Sequence, residues 1–431
     1  MRIIICCWDD PGGVAGPGAW ERRLALHCAE NNDKVRVLSF VDSANSGDGD
    51  NFRFFKGTEV EVSGIARTSM RQQVEWILRH VREHKARVLL ASNVVAAHYA
   101  SHCCSRLGCS VISVIHSDES FYNKIIRNFF PSGNYHQVHG AIVVSQLLKK
   151  RVESYRLGEL KLEQVPYGSP IPDAVAKPPV KKLRLIYVGR LSQRQKRVLD
   201  VARALCLACD QVHDTEALIV GHGAEEAAVI KLLKSTPGGQ NVTLVGRLPL
   251  EDVQELMAQC HIYVLLSDYE GNPIALMEAM AAGLVPVVSN IESGVPELVE
   301  NGVTGFYAPE RADDFVRVIR RLRDDVGLWS AVSRSSRSLI KSGFAASDCM
   351  DRTRKFLLSF GLRKDIEKAD RIAPESIEFR GVCLTESWAD PSMFSFPKSV
   401  LSWIVVLGWS LWGRMPWAIR CFLKKIASRG W

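Results

Sequence analysis

Short apolar runs and longer helical patterns alternate twice along this chain, and a proline-rich break separates the two rounds. In the first round RIIICCW, KVRVLSFV, RVLLASN, SVISVIHS and GAIVVS are runs of strand length, separated by segments such as AWERRLALHCAEN and MRQQVEWILRHVREHK. A strand that is apolar on both sides must be covered on both sides, as in a parallel sheet flanked by crossover helices. This half therefore predicts a βαβ array, a doubly wound sheet. Over residues 165–182 the text changes to VPYGSPIPDAVAKPPVKK, crowded with proline and ending in basic residues, which is the composition of a linker. The alternation then restarts with LRLIYVG, EALIVG, NVTLVG, IYVLLS and VPVVSN, with helices expected from about Val198, Ala224 and Pro249. Two such sheets joined by a hinge make a deep cleft, and ligands of open α/β sheets bind at the carboxyl ends of the strands.

Composition fits that reading. The 431 residues exceed what one ordinary core supports. Hydrophobic content of 47 % with 24 % charged residues argues for folded structure over disorder. A net charge of +8 suits an anionic ligand, an anionic membrane surface or nucleic acid without choosing among them. The 12 cysteines are spread through apolar segments, which points to buried thiols in a reducing compartment. Cys206 and Cys209 form a lone C-x-x-C in a helical pattern with no second pair, so neither zinc nor redox chemistry is expected there. MRIIICCWDD turns acidic early and runs straight into structure, unlike a secretory leader.

The stretch DYEGNPIALMEAMAAGLVPVVSN, residues 268–290, carries the chemistry. IYVLLS is a strand and DYEG the turn at its carboxyl end. Asn272 is expected as N-cap, Pro273 as the first helical residue and Gly283 as a left-handed stop. Glu270 then lies in the loop at the mouth of the cleft and Glu278 within the helix, about two turns further on. Amides around Gly271, Asn272 and Ile274 would offer donors to hydroxyl or phosphate oxygens. Two carboxylates with free amide donors suit a polyhydroxylated ligand. The plain alternative makes Glu278 a solvated helix residue and Glu270 a turn residue.

EGNPIALMEAMAAGLVPVVSN followed by SGVPELVENGVTGF resembles the signature of the family 4 retaining glycosyltransferases, which have the GT-B fold. That pattern is a Glu, seven residues and a second Glu, here Glu270 and Glu278, with a downstream Gly-x-Pro-Glu (Gly294 to Glu297) and a Gly-x-x-Gly turn (Gly302 to Gly305). A second segment, YVGRLSQRQKRV, resembles the family's diphosphate-binding stretch and matches Arg190 and Lys196 to its Arg-Lys pair. The Lys lies one residue further from the Arg than in the commonest form, and Arg197 stands where a Gly is usual. Either Lys196 or Arg197 could then meet the phosphate. IVGHGAEE is similar to the family's Gly-x-Gly turn, and DDPGGVAGPGAW to its glycine-rich loop after the first strand, with Gly12 and Gly13 as the matching glycines. His116 falls where the family often has a His near the donor sugar. The resemblance covers roughly residues 1–360.

What the resemblance implies is a retaining glycosyltransferase that moves a sugar from a nucleotide-sugar donor to a saccharide, lipid or other acceptor in glycan or glycolipid biosynthesis. Cleaving a sugar–nucleotide bond leaves a diphosphate and an oxocarbenium-like sugar, so cations are needed at the leaving group and acceptors around the ring. By the resemblance, Arg190 and Lys196 neutralise the diphosphate, with no cofactor and no metal. Glu270 and the Gly271, Asn272, Pro273 and Ile274 segment hold the sugar, Glu278 takes the ribose, and His116 steadies the sugar without being the sole base. Alternatives are a GT-B nucleotide-sugar epimerase, a glycogen-synthase-like enzyme, and a non-catalytic nucleotide-sugar-binding scaffold.

The resulting organisation is an acceptor-side Rossmann-like domain over 1–168, a hinge over 169–182 and a donor domain over 183–345. A helix over 346–375 is expected to cross back to the first domain, and a Trp-rich basic extension occupies 376–431. The apolar run from Val400 to Trp412 would reach about 20 Å as a helix, short of a bilayer's roughly 30 Å core. Its tryptophans and flanking cations suit either a membrane interface contacted through 398–431 or a helix packed on the protein. Cytoplasmic placement, peripheral on the inner membrane face, follows. Asp48 and Asp50 look like a metal-binding Asp-x-Asp but read better as a polar loop. The loop near Gly12 is not a G-x-G-x-x-G fingerprint, which weighs against a dinucleotide enzyme. Arg22, Arg23, Lys149, Lys150 and Arg151 read as solvated helix faces, and no nucleic-acid-binding module is evident.

Overall fold

The computed structural model describes residues 1–9, 16–41, 49–66 and 68–360. Seven strands, β1 (Arg2–Asp9), β2 (Lys34–Val41), β3 (Glu61–Ala66), β4 (Val88–Ala91), β5 (Ser110–Ile115), β6 (Gly140–Val143) and β7 (Lys161–Gln164), form one sheet in the order β3-β2-β1-β4-β5-β6-β7. Six more, β8 (Leu183–Val188), β9 (Thr215–Val220), β10 (Val242–Gly246), β11 (Ile262–Leu265), β12 (Val285–Val288) and β13 (Phe306–Tyr307), form a second in the order β10-β9-β8-β11-β12-β13. All pairings are parallel. Each sheet reverses its strand order once, between β1 and β4 and between β8 and β11. A crevice opens outside the strand ends at such a reversal.

The expected central strands all form, because Ile3, Ile4, Ile5, Val88, Leu89, Leu90, Val111 and Ile112 can be excluded from water only between helical layers. β3, β7 and β13 were not foreseen. All three lie at sheet edges, and β3 (EVSGIA) and β7 (KLEQ) are only partly buried, so neither shows the continuous apolar run that marks a central strand.

The first helix, Gly16–Glu30, buries Trp20, Glu21, Leu24, Ala25 and Cys28, a face with helical spacing that includes one acidic residue. Two chain segments connect the domains, and they are bonded to each other. Ser169 N–H donates to the Phe344 carbonyl at 2.8 Å, and Ala346 N–H donates to the Ser169 carbonyl at 2.9 Å. The helix Ala346–Leu358 then lies against the first domain. There Asp351 meets His27 at 2.8 Å, Arg354 donates to Asp33 at 2.6 Å, and Arg352 donates to the Gln164 carbonyl at 2.6 Å. Residues 361–375 of the expected returning helix, the segment 376–431, Asp48, Gly12 and Gly13 fall outside the described residues. Among the described residues ten cysteines are free and buried, Cys206 and Cys209 among them, and burial pushes the Cys209 thiol up to about 12. No helix among them is long and apolar enough to cross a membrane.

Candidate active site

Four segments leaving the carboxyl ends of β4, β5, β8 and β11 build the site. From β8 the chain passes through Gly189 to Arg190, whose carbonyl accepts the Tyr187 hydroxyl at 2.8 Å. The short turn Gln193–Lys196 follows. Buried Gln195 accepts from the Arg190 guanidinium at 2.7 Å and donates to the Tyr269 carbonyl at 3.2 Å, while Asp268 N–H donates to the Gln195 backbone carbonyl at 2.9 Å. One amide side chain thus ties the loop of cations to the loop of Glu270. Next to it Lys196 Nζ lies 2.7 Å from Glu270 Oε1, with side chains only 16 % and 6 % exposed.

Arg197 has φ +52°, ψ +40°, a left-handed conformation that costs a side-chain-bearing residue roughly 1 kcal/mol. That explains why glycine is the usual residue there. Its guanidinium reaches Asp200 at 2.6 Å and Asp268 at 3.7 Å, whereas Lys196 shares its position with Glu270. The Gly-x-Gly turn packs against the same loop. A Cβ on Gly221, at φ +137°, would stand 1.9 Å from the Gly189 carbonyl oxygen, and one on Gly223 would stand 2.5 Å from that of Leu191.

After β11 the helix runs Ile274–Ala281 with Pro273 at the capping position. Asn272 is therefore not the N-cap. The ring of Pro273 fixes the chain direction at that position. The Asn272 side chain is buried, and both its amide atoms lack a hydrogen-bond partner among the described residues. Gly283 has the expected positive φ, +83°. Gly271 is where the domains touch: a Cβ on it would lie 1.8 Å from the His116 carbonyl oxygen. The downstream Gly294 N–H donates to the Gly271 carbonyl at 2.8 Å, and Glu297 crosses to the other domain, where it accepts from Gln146 N–H at 2.7 Å. Gly302 and Gly305 close the expected turn, with the Gly302 amide donating to the Gly305 carbonyl at 2.7 Å.

Glu278 faces the first domain, not bulk solvent. Burial lifts its carboxyl to about 7, with Arg23 acting in the opposite direction. Arg23 is a correction to the solvated-face reading. All three of its guanidinium nitrogens are buried without a hydrogen-bond partner, and burial lowers its basicity. Arg22 is not simply solvated either: it donates to Asn51 at 2.8 Å and lies 5.1 Å from the Phe54 ring centre.

His116 emerges from β5 into a closed aromatic frame. Its Nδ1 is 2.5 Å from the Tyr167 hydroxyl and its Nε2 2.6 Å from Ser92 Oγ. Tyr167 stacks on it at 5.6 Å and Trp20 meets it edge-on at 5.8 Å. Burial pushes the imidazole down to about 3, so it is neutral at physiological pH. Gln195, Tyr167, Ser92 and Glu21 were not singled out from sequence. Gln195 and Tyr167 lay within stretches already read as a motif and a linker, but nothing local marks Ser92 or Glu21. Among the described residues no cluster of His, Cys, Asp and Glu could hold a metal ion.

Residues 172–338 match the model of the family described as glycosyl transferases group 1. The two doubly wound sheets give the GT-B fold, and the stretch that resembles this family takes in the second of them. The amylovoran biosynthesis glycosyltransferase AmsK of Erwinia amylovora is 36 % identical over 165 residues, 37 % of this chain and 39 % of that protein. The putative colanic acid biosynthesis glycosyltransferase WcaL of Escherichia coli is 32 % identical over 176 residues, 35 % of this chain and 42 % of that protein. The chain thus spans about two fifths of the length of these curated relatives. The fold is similar to that of HepE from Anabaena in complex with UDP, at TM-score 0.66, 17 % identity, and coverage of 83 % of this chain and 100 % of that one. It is also similar to the pneumococcal O-GlcNAc transferase GtfA in complex with UDP and GlcNAc, at TM-score 0.69, 12 % identity, and coverage of 84 % and 99 %.

Proposed function

We propose that this chain is a retaining, metal-independent glycosyltransferase that moves a sugar from a nucleotide-sugar donor to a saccharide or lipid-linked acceptor. The observation that carries this reading is the Lys196–Glu270 pair at 2.7 Å, with Arg190 held beside it through Gln195. It brings a point cation, a guanidinium and a carboxylate to the mouth of one parallel sheet, opposite His116. Arg190 and Lys196 would meet the diphosphate, Arg190 through its planar fork and Lys196 as a compact charge released from Glu270. Glu270 and the 271–274 segment would then hold the sugar hydroxyls, and Glu278 the ribose. The C1–oxygen bond to the diphosphate breaks as the acceptor oxygen bonds C1 on the same face, and the acceptor proton passes to the departing phosphate. Two side-chain cations at the leaving group make a divalent metal unnecessary in this scheme, and no cofactor is called for.

UDP is the first nucleotide to test, because HepE and GtfA are similar structures in complex with it. We place the reaction in the cytoplasm, with 398–431 contacting the inner membrane face, on the strength of that segment's tryptophans and cations. The test is turnover of UDP-glucose, UDP-galactose and UDP-GlcNAc with chelator present throughout, reading UDP release and the anomeric proton of the product. The expected result is release with retained configuration, reduced about 100-fold or more in Arg190→Ala. An inverted product, or activity abolished by chelator, would contradict the scheme.

A further inference from the structure

The Gly-x-Pro-Glu element has no part in the transfer scheme, and its glutamate leaves its own domain. Glu297 ends the turn Val295–Glu297 after β12 and is half-buried. Its Oε1 accepts from the backbone N–H of Gln146 at 2.7 Å and its Oε2 stands 3.5 Å from Gln164 Nε2, while Gln146 Nε2 donates to Gln164 Oε1 at 3.1 Å. One carboxylate and two glutamines thus close a ring of three bonds. Gln146 opens the helix Gln146–Glu153, where the Ser145 hydroxyl accepts from Leu148 N–H at 3.4 Å. The first N–H groups of a helix have no partner within it. Ser145 serves one of them, and a carboxylate from the other domain serves another. That carboxylate also meets the positive end of the helix dipole. Burial raises the Glu297 carboxyl while the Gln146 N–H works against the rise, as a bond to the ionised form does.

The partners belong to bodies that are separately fastened. The Pro172 carbonyl accepts from Arg337 at 2.8 Å and Ala176 N–H donates to the Ala282 carbonyl at 2.8 Å, so the hinge from 172 onward is held by the second domain. Tyr167 is held by the first, through His116 and Trp20. Between these anchors lies a short joint that contains Gly168 at φ +71°, with the second crossing bonded to it at Ser169. Gln146 and Gln164 precede the joint, and Glu297 follows it. A rotation there that parts Gly271 from the His116 carbonyl also draws Glu297 from Gln146, because Gly294, three residues before Glu297, is bonded to Gly271. We propose that Glu297 is a positioning residue that caps the helix Gln146–Glu153 across the domain boundary and thereby holds the cleft closed, with Gly271 against His116. The proposal rests on the transferase reading only for its effect on turnover.

A single N–H can be removed to test it. Proline is well accommodated at a first helical position, and Ser145 before it is extended, at φ −149°, ψ 160°. Gln146→Pro lacks the N–H, whereas Gln146→Ala lacks the same side chain and keeps it. X-ray scattering of the full chain without ligand should give a larger radius of gyration for Gln146→Pro and Glu297→Ala than for the wild type and Gln146→Ala. In UDP-sugar turnover kcat should fall roughly 3- to 30-fold in Glu297→Ala, the range of a lost helix cap, and by a similar factor in Gln146→Pro relative to Gln146→Ala. Glu297→Gln keeps an acceptor oxygen and should stay closer to the wild type. Glu297→Ala combined with Gln146→Pro should lose no more than either alone. If Gln146→Pro does not fold, Glu297→Ala against Glu297→Gln gives the same comparison by scattering and by kcat. Identical scattering throughout, or losses that add in the double variant, would overturn the cap. The expected scattering together with no reaction of any nucleotide sugar in the wild type would refute the transferase reading and leave the cap standing.

Discussion

Glu278 is the fifth residue of the helix Ile274–Ala281, whose residues Leu276, Met277, Ala279 and Met280 are all buried, so its carboxylate has little water to solvate it. Its carboxyl moves from the ordinary 4.5 to about 7, because burial outweighs the attraction of Arg23. A raised carboxyl pKa means that the folded protein holds a proton the unfolded chain has already lost. Stability is therefore full below about pH 4.5 and falls as pH rises toward 7. Glu278→Gln removes the titration. The variant's melting temperature should gain on the wild type between pH 5 and pH 8, by the equivalent of about 1–3 kcal/mol. A difference between the two that does not change with pH would show that Glu278 is solvated after all. Arg23, which faces it, was not legible from sequence: its neighbour on the helix, Arg22, has the same local text, and only the approach of a helix some 250 residues later distinguishes them. Arg197 was legible as a departure but not as a strained one, because its left-handed backbone follows from the turn that delivers Lys196.

At the scale of elements, the loop that carries Glu270 was readable as a strand, turn and helix start because its text is local. Glu270, Glu278, Arg190 and Lys196 lie within two short stretches, and each stretch follows a buried strand whose apolar run can be seen directly. The helix start was misplaced by one residue, since proline takes the capping position and leaves Asn272 facing inward. The edge strands β3 and β7 were invisible because their sequences are only partly apolar, whereas the edge strand β10 was read from the apolar run NVTLVG. Gly271 shows what an element-level contact demands. With the His116 carbonyl oxygen 1.8 Å from where a Cβ would stand, Gly271→Ala must push the loop away from β5. Turnover should fall about 100-fold, while affinity for UDP alone changes less than about 10-fold, because Arg190 and Lys196, to which the proposed scheme gives the diphosphate, lie on the other loop. Unimpaired turnover would mean that this contact is not part of the reacting arrangement.

At the scale of the whole molecule, the hinge was legible as proline-rich text. The second crossing was expected as a helix over 346–375 returning to the first domain, and nothing in the sequence says that it is hydrogen-bonded to the hinge at Ser169. The two crossings together leave the sheets joined along one side, with Glu297 and Gln146 bridging them on the way out of the site. A protein so arranged can bring cations from one domain against a framed histidine from the other only when the cleft is closed. In the proposed scheme the cleft receives a nucleoside diphosphate through Arg190 and Lys196. The direct measurement is calorimetric titration of UDP, and then GDP, ADP and dTDP, into the wild-type chain, Arg190→Ala and Lys196→Ala, all with chelator present. One diphosphate should bind the wild type, and each variant should lose roughly 10- to 100-fold in affinity, the scale of a hydrogen bond to a charged group. Equal affinity in all three proteins, or binding of none of the nucleotides by the wild type, would contradict the account.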